Sequence, residues 1–480
     1  MLSIPPEIIN FFKKTNRILL VKGKPGTGKT IFSLTLLKEF SKADHTCFYI
    51  STRVEPADLV SDLPWIKDFL SPSNIIDAVS SKLPRVAPQQ KEKIAYETLL
   101  YSSRGEVFSG IVKLITAAKK PFVVIDSIDA IKESLGLSDI SDIELLLYEL
   151  SKKAKANIVL ISEGAKPTRL DYVVDGVVLL RDLHNKREMV IEKIRGVSRN
   201  VRSYSFTLRN GVFQYFPPVS HLKRPIPPDD KLFREIISSG SKDLDKLLGG
   251  GIPRGASVLV VGPIGSGKTT IGLQFIYEGL KQGENALLLS FEETPTQLLI
   301  KAEKLGFKLG QYVGKSLILK HELPFSMRLD EHTQEIFDIV TKYNIKRFMI
   351  DGVREYEELI KDKIKLREHI HNITYFMQMH HVTSLLTAEM PKITGELQLT
   401  ENGISAMSDI TILLKFVEIG SVVKKAIHVL KVRGAKQDPT IRELKITSKG
   451  ISIGKPFKGV QGILTGNITR TDIKMGEFLG

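Results

Sequence analysis

A glycine-rich phosphate-binding signature, G-x-x-x-x-G-K-[ST], occurs twice in this chain, 239 residues apart. The first copy reads Gly23-Lys24-Pro25-Gly26-Thr27-Gly28-Lys29-Thr30. The second reads Gly262-Pro263-Ile264-Gly265-Ser266-Gly267-Lys268-Thr269 and runs on into Thr270. Each copy follows a short apolar run and precedes a helical pattern, the strand–loop–helix setting the signature needs. The glycines let backbone N–H groups turn inward around phosphate oxygens. Lys29 and Lys268 would neutralise the β- and γ-phosphates, and Thr30 and Thr269 would offer a hydroxyl to Mg²⁺. The helix after each loop adds the positive end of its dipole. The signature therefore predicts a nucleoside triphosphate with Mg²⁺, held twice.

The halves around the two loops repeat. Ile18–Val21 leads into the first loop and Ile31–Phe40 follows it as a helix; Ser257–Val261 and Thr270–Leu280 take the same roles in the second. Further apolar strand candidates are Pro121–Ile125, ending at Asp126, and Arg347–Ile350, ending at Asp351, with Asn157–Ser162 and Thr383–Thr387 beyond them. Apolar strands separated by helical segments predict an α/β fold, each half a mainly parallel sheet covered by helices on both faces. A second repeat closes each half: Ile191 begins IEKIRGVSRNVRSYSFTLRNGVF and Val429 begins VLKVRGAKQDPTIRELKITSKGI, an offset of 238 residues. Two separate features at nearly one offset point to duplication. Ser203–Leu208 and Arg442–Ile446 alternate as strands do. Between the halves, five prolines from Pro217 to Pro228 exclude a helix or a central strand. The expected division is residues 1–218, a linker at 219–235, and residues 236–480.

At 480 residues the chain is long enough for several cores. It contains no apolar run long enough for a transmembrane helix, and its first residues do not read as a signal peptide. A single cysteine, Cys47, excludes an intramolecular disulfide and suits a reducing cytoplasm. The net charge of +15 raises the question of nucleic acid. The excess is evenly spread: 34 Lys and Arg against 26 Asp and Glu through residue 230, and 35 against 28 beyond it. No basic block with interleaved aromatics occurs, so a generally solvated basic surface is favoured over a nucleic-acid face.

Asp126 and Asp351 end buried-strand candidates, where an α/β sheet presents ligand-facing groups. They read as Mg²⁺ holders, with a helix cap or loop acid as the alternative. The halves diverge at the water-activating position. After Ala286–Ser290 the second half has Phe291-Glu292-Glu293-Thr294-Pro295, and a carboxylate there could orient and deprotonate an attacking water. Aligning Pro56 with Pro295 puts Arg53 and Val54 opposite the glutamates and leaves Glu55 one place displaced.

At these residues the chain resembles the KaiC-like branch of the RecA/RadA ATPases. The second half is the stronger match, through SGSKDLDKLLGGGIPRG, GPIGSGKTT, SFEETPTQL, VLKVRGAKQDPTIREL and GISIGKPFKGVQGILTG, over roughly residues 236–466. The first half matches through its loop, FVVIDSID and EKIRG, lacks the GGGIPRG lead-in, and in FYISTRVEPADL also resembles GvpD-type ATPases. The whole is similar to a dual-domain archaeal KaiC-like protein. The resemblance implies two tandem RecA-like domains, ring hexamers and ATP between neighbouring subunits. It makes Lys268 and Thr269 the phosphate and Mg²⁺ contacts and Glu292 and Glu293 the water-activating pair. Lys431 and Arg433 would reach ATP held by the adjacent subunit, with Lys193 and Arg195 as counterparts in the first half. A basic pair on an edge strand also deters strand pairing, and that alternative stands beside the clamp. The family's clock protein autophosphorylates at adjacent hydroxyl residues; here the matching stretch offers Ser405 followed by Ala406. Two-site phosphorylation is thereby excluded, and Ser405 is the single candidate for a weak autokinase step.

The expectation is a cytoplasmic, Mg²⁺-dependent regulatory ATPase, a homo-hexamer with a regulatory protein partner, whose second domain hydrolyses ATP while the first chiefly binds it. Alternatives are a DNA-dependent ATPase of recombinase or helicase type, and a mainly non-catalytic, nucleotide-switched regulator of a transcription or motility partner.

Overall fold

The computed structural model describes residues 3–14, 16–52, 54–77, 115–130, 147, 151, 155–183, 186–218, 234–324, 327–390, 407–419, 421–434, 436–458, 460–463 and 469–470. The chain divides into two compact units, Met1–His221 and Leu222–Gly480. Residues 219–233 of the expected linker, and Ser405, lie outside the described residues.

The first unit is built on nine strands: β1 (Ile18–Lys22), β2 (Thr46–Ser51), β3 (Ile75–Asp77), β4 (Pro121–Asp126), β5 (Asn157–Ser162), β6 (Gly176–Leu183), β7 (Lys186–Ile194), β8 (Ser203–Thr207) and β9 (Gln214–Phe216). Their order across the sheet is β3-β2-β4-β5-β1-β6-β7-β8-β9. The first six run parallel, and β6 to β9 form an antiparallel wing. β1 and β5 are buried along their whole length, as strands covered on both faces must be. On one face, the helices Pro6–Phe12 and Lys29–Ser41 pack through Phe12 and Phe40 against Phe122 of β4, with ring centroids 4.8 and 4.7 Å away.

The second unit opens with a two-stranded lead-in, β10 (Ile236–Ile237) and β11 (Ile252–Pro253), the latter within the GGGIPRG stretch that the first half lacks. Its sheet comprises β12 (Ser257–Gly262), β13 (Asn285–Ser290), β14 (Leu317–His321), β15 (Ile345–Asp351), β16 (Thr383–Glu389), β17 (Ile410–Ile419), β18 (Val422–Val432), β19 (Arg442–Thr447) and β20 (Gly450–Pro456). The order is β14-β13-β15-β16-β12-β17-β18-β19-β20, the same path as in the first unit. Six strands again run parallel and the last four form an antiparallel wing. Two mainly parallel sheets flanked by helices, wound identically, are the tandem RecA-like architecture. The loop strands β1 and β12 are interior in their sheets, so each phosphate loop emerges between two parallel strand ends, where an open α/β sheet has its crevice.

Candidate nucleotide sites

Each loop turns directly into a helix whose first residues are the signature lysine and threonine: Lys29–Ser41 and Lys268–Lys281. The residue before the lysine is glycine in both, at φ +93° for Gly28 and +112° for Gly267, left-handed conformations that cost glycine nothing. A Cβ on Gly28 would also stand 2.6 Å from the Leu208 side chain.

The two lysines are held alike. Lys29 Nζ donates to the carbonyls of Gly23 (2.9 Å) and Lys24 (3.0 Å). Lys268 Nζ donates to those of Gly262 (2.9 Å) and Pro263 (3.1 Å). Burial pushes the Lys268 pKa down, against the opposing charges of Glu292, Glu389 and Asp351. A phosphate delivered to the loop would strengthen the charged form.

In both units the loop threonine meets the strand-end aspartate. Thr30 Oγ1 donates to Asp126 Oδ2 at 2.7 Å; Thr269 Oγ1 lies 3.0 and 3.2 Å from the two carboxylate oxygens of Asp351. A hydroxyl beside a carboxylate is a set of hard oxygen donors, the chemistry Mg²⁺ takes. Each aspartate is steadied by a second hydroxyl that sequence reasoning missed. In the first unit it is Tyr49, from β2, at 2.6 Å. In the second it is Thr387, from β16, at 2.7 Å. Each is flanked by apolar residues, Phe48 and Ile50 in β2 and Leu386 and Ala388 in β16, and a hydroxyl in that setting is the signal that could have found them. Burial raises the Asp351 pKa, while the hydrogen bonds from Thr387 and Thr269 pull it down.

The first site opens into a cleft of about 380 Å³ whose lining includes Lys29, Thr30, Asp126, Glu163, Arg187 and Leu208. Glu163 lies just past the end of β5. Arg187, from β7, pairs with Asp182 at 3.0 Å. With Leu208, just past β8, it brings the antiparallel wing onto the cleft. None of these three was singled out from sequence.

The corner after β2 and the corner after β13 share a strand pairing and two hydrogen bonds. Ser51 pairs with Asp126 across the sheet, and Ser290 with Asp351. Thr52 N–H donates to the Asp126 carbonyl and Phe291 N–H to that of Asp351. Val54 N–H donates to Ser51 Oγ (3.3 Å) and Glu293 N–H to Ser290 Oγ (3.0 Å). Val54 thus stands in the place of Glu293. Arg53, opposite Glu292 in this register, lies outside the described residues.

The glutamates themselves have different surroundings. Glu293 is ion-paired with Lys301, in the second turn of the next helix, Pro295–Lys304. Glu292 turns toward the loop. Loss of hydration raises its pKa, Asp351 adds to that, Lys268 opposes it, and Glu293 and Glu389 push it further up. Gly352, after Asp351, lies under Glu292: a Cβ there would stand 3.1 Å from Glu292 Cγ and 3.2 Å from Oε1, at a φ of +98°. That accounts for glycine where the first unit has Ser127.

The Lys/Arg pairs are elsewhere. Lys431 Nζ donates to the Ser408 carbonyl (2.6 Å) and Arg433 pairs with Asp409 at 3.3 Å. Lys431 stands opposite Thr411, and Asp409 N–H donates to the carbonyl of Ser257, the first residue of β12. Lys193 and Arg195 occupy the same place along β1, through Asp175 and Val177. In this register Lys431 is level with Leu259 and Lys193 with Leu20, so along the strand the loops lie roughly 10 Å from the lysines and roughly 15 Å from the arginines at about 3.3 Å per residue. Neither pair lies beside the loop of its own unit.

Among the described residues, no helix is long and apolar enough to cross a membrane. A family model for the KaiC ATPase matches residues 237–458, and one for the P-loop domain of the GvpD gas vesicle protein matches residues 8–196. The circadian clock protein KaiC3 of Synechocystis is 28% identical over 468 residues, 94% of this chain and 90% of the relative. The circadian clock oscillator proteins KaiC of Thermostichus vulcanus (26%) and Rippkaea orientalis (27%) each align over 95% of this chain and over 89% and 88% of their own lengths. With two phosphate loops, each joined to a strand-end aspartate on an identically wound sheet, the chain is similar to the KaiC-type P-loop ATPases in its second half and along most of its length.

Proposed function

We propose that this chain is a Mg²⁺-dependent regulatory ATPase that binds ATP at both loops, at subunit interfaces of a ring hexamer, and hydrolyses it mainly in the second domain. The observation that carries the assignment is Glu292 beside Lys268 and Asp351, at a place that the shared register of the two corners gives in sequence to Arg53 in the first unit. In the second site the loop amides and Lys268 would bind the β- and γ-phosphates. Thr269 and Asp351 would hold Mg²⁺, which supplies charge neutralisation of the phosphates when bound. Glu292 would accept the proton of the attacking water. Lys431 and Arg433, too far to serve their own loop, would stabilise the transition state across a subunit interface. In the first site Lys29, Thr30 and Asp126 suffice for binding, and ATP there would brace the ring.

Turnover in Lys29→Ala and Lys268→Ala proteins tests the division of labour. Lys268→Ala should lose most activity; if it keeps most, the assignment is wrong. Size measured with and without nucleotide tests the ring, and a monomer at micromolar protein under all conditions would refute it. The charge of +15 supports a second reading, a DNA-dependent ATPase. Turnover stimulated by DNA, with binding that falls steeply with salt, would favour it.

A further inference from the structure

Behind the Phe291-Glu292 corner lies a row of enclosed polar side chains that phosphate binding does not use. Tyr356 is fully buried on the helix Arg354–Leu359, and its hydroxyl is 2.7 Å from His332 Nε2. His332, 3% exposed on the helix Leu329–Lys342, has Nδ1 3.1 Å from Glu322 Oε2. Glu322 also pairs with Lys320, whose amine reaches Glu335 at 2.7 Å. His332 and Lys320 together draw the Glu322 pKa down to about 2 despite its partial burial. His369, from the helix Lys363–Met379, closes the row with its ring 5.0 Å from that of Tyr356. Burial and the neighbouring His332 depress His369 to about 3, so it packs as a neutral ring.

The row touches the segments that carry the proposed hydrolytic groups. Tyr356 packs edge-on against Phe291, with centroids 5.2 Å apart, and His332 lies 6.0 Å from the same ring. Phe291 immediately precedes Glu292, and its N–H is bonded to the Asp351 carbonyl. Glu322 N–H and His321 Nδ1 both contact the carbonyl of Ser290. Tyr356 itself follows Asp351 by five residues. An apolar core could fill this volume, but an apolar neighbour would let the Phe291 ring slide. The Tyr356–His332 hydrogen bond and the approach of His332 Nδ1 to Glu322 favour one arrangement, because buried polar groups are costly when parted from their partners.

We propose that the Glu322–His332–Tyr356 row is a positioning device for hydrolysis, holding the Phe291-Glu292 corner and the segment after Asp351 in register with the second phosphate loop. His332 and Tyr356 are positioning residues that touch no phosphate. The inference rests on the second domain being the main hydrolytic site.

The test is steady-state ATP hydrolysis by the full-length protein as wild type, Lys268→Ala, Tyr356→Phe and His332→Gln, with a thermal midpoint for each. Tyr356→Phe keeps the ring and removes only the hydroxyl. It should lower kcat about five- to tenfold with the KM for ATP within about twofold, since a misaligned water-activating group slows the chemical step and leaves ground-state binding intact. His332→Gln should move kcat in the same direction. The proposal is overturned if kcat stays within about twofold of wild type in the folded variants while only the midpoint falls, or if KM rises with kcat unchanged. Should either variant fail to fold, the partly exposed Glu322→Gln is read by the same two criteria. If Lys268→Ala retains most turnover, the assignment of the hydrolytic domain has failed; if it loses turnover while Tyr356→Phe does not, the row alone has failed.

Discussion

Glu292 and Glu293 are sequence neighbours with separate surroundings. The carboxylate of Glu293 is tied to Lys301, whereas that of Glu292 shares the space beside Lys268, Asp351 and Glu389. On the proposed mechanism only Glu292 is placed to take a proton from water. Glu292→Gln should therefore cost about 10²- to 10⁴-fold in kcat with ATP still bound, and Glu293→Gln less than about tenfold, since it breaks a half-exposed ion pair. The pH profile carries the same assignment. A base works deprotonated, and burial with Asp351 raises the Glu292 pKa, so turnover should be lost as pH falls through a value above the usual carboxylate range. Glu293→Gln removes one of the charges that raise it and should shift that acidic limb to lower pH. Glu292→Gln should abolish the limb. A kcat profile that keeps its acidic limb in Glu292→Gln would assign the base elsewhere.

At the scale of elements, the loop–helix junctions, the strands ending at Asp126 and Asp351 and the duplication were all legible, because a phosphate loop has rigid residue requirements and a strand buried on both faces is apolar throughout. β3 and β14 at the sheet edges were not read, being short or mixed in polarity, and neither were β6 and β17. What sequence could not convey is convergence: Tyr49 and Thr387 reach equivalent aspartates from different strands, and only the sheet order β2-β4-β5 and β13-β15-β16 puts each beside its partner. Arg347 is a further case. It reads as a polar start to a strand, yet it is fully buried, with Nε on Glu284 (2.6 Å) and Nη1 on the carbonyls of Ser238 (2.9 Å) and Phe275 (2.8 Å). It thereby ties β15 to the helix that begins at Lys268. Gly279 makes room for it: a Cβ there would meet the Arg347 side chain at 2.3 Å. Arg347→Ala should destabilise the second unit by about 3–5 kcal/mol, toward the lower end because Arg254 remains paired with Glu284 at 2.8 Å. Denaturant unfolding would measure this; a loss under about 1 kcal/mol would mean the pair contributes little beyond filling space.

For the whole molecule, the decisive geometry is that each sheet keeps its phosphate loop at the end of one strand and its Lys/Arg pair back along it. Lys431 and Arg433 lie level with Leu259 and Ser257 of β12, their side chains held by Ser408 and Asp409, and the loop leaves its far end. A group that stabilises the γ-phosphate must come within hydrogen-bond reach of it. If the pair acts on ATP at all, it acts on ATP held by another copy, and the contact is head-to-tail, of the kind that closes into a ring. Complementation tests this without any structure of the assembly. Lys268→Ala lacks a working second loop but keeps its clamp; Arg433→Ala lacks the clamp but keeps its loop. Each alone should be nearly inactive. Mixed as monomers and assembled with nucleotide in equal amounts, they should place an intact loop against an intact clamp at about one interface in four, and turnover should return to about a quarter of wild type. Mixing after separate assembly should restore nothing until subunits exchange. If Arg433→Ala hydrolyses ATP normally by itself, the pair has no part in hydrolysis; it does not guard an edge either, since β18 lies between β17 and β19. If both variants are inactive and the mixture stays inactive, the clamp acts within its own subunit, a result the separation along β12 forbids unless the wing moves by more than ten ångströms, about three strand residues.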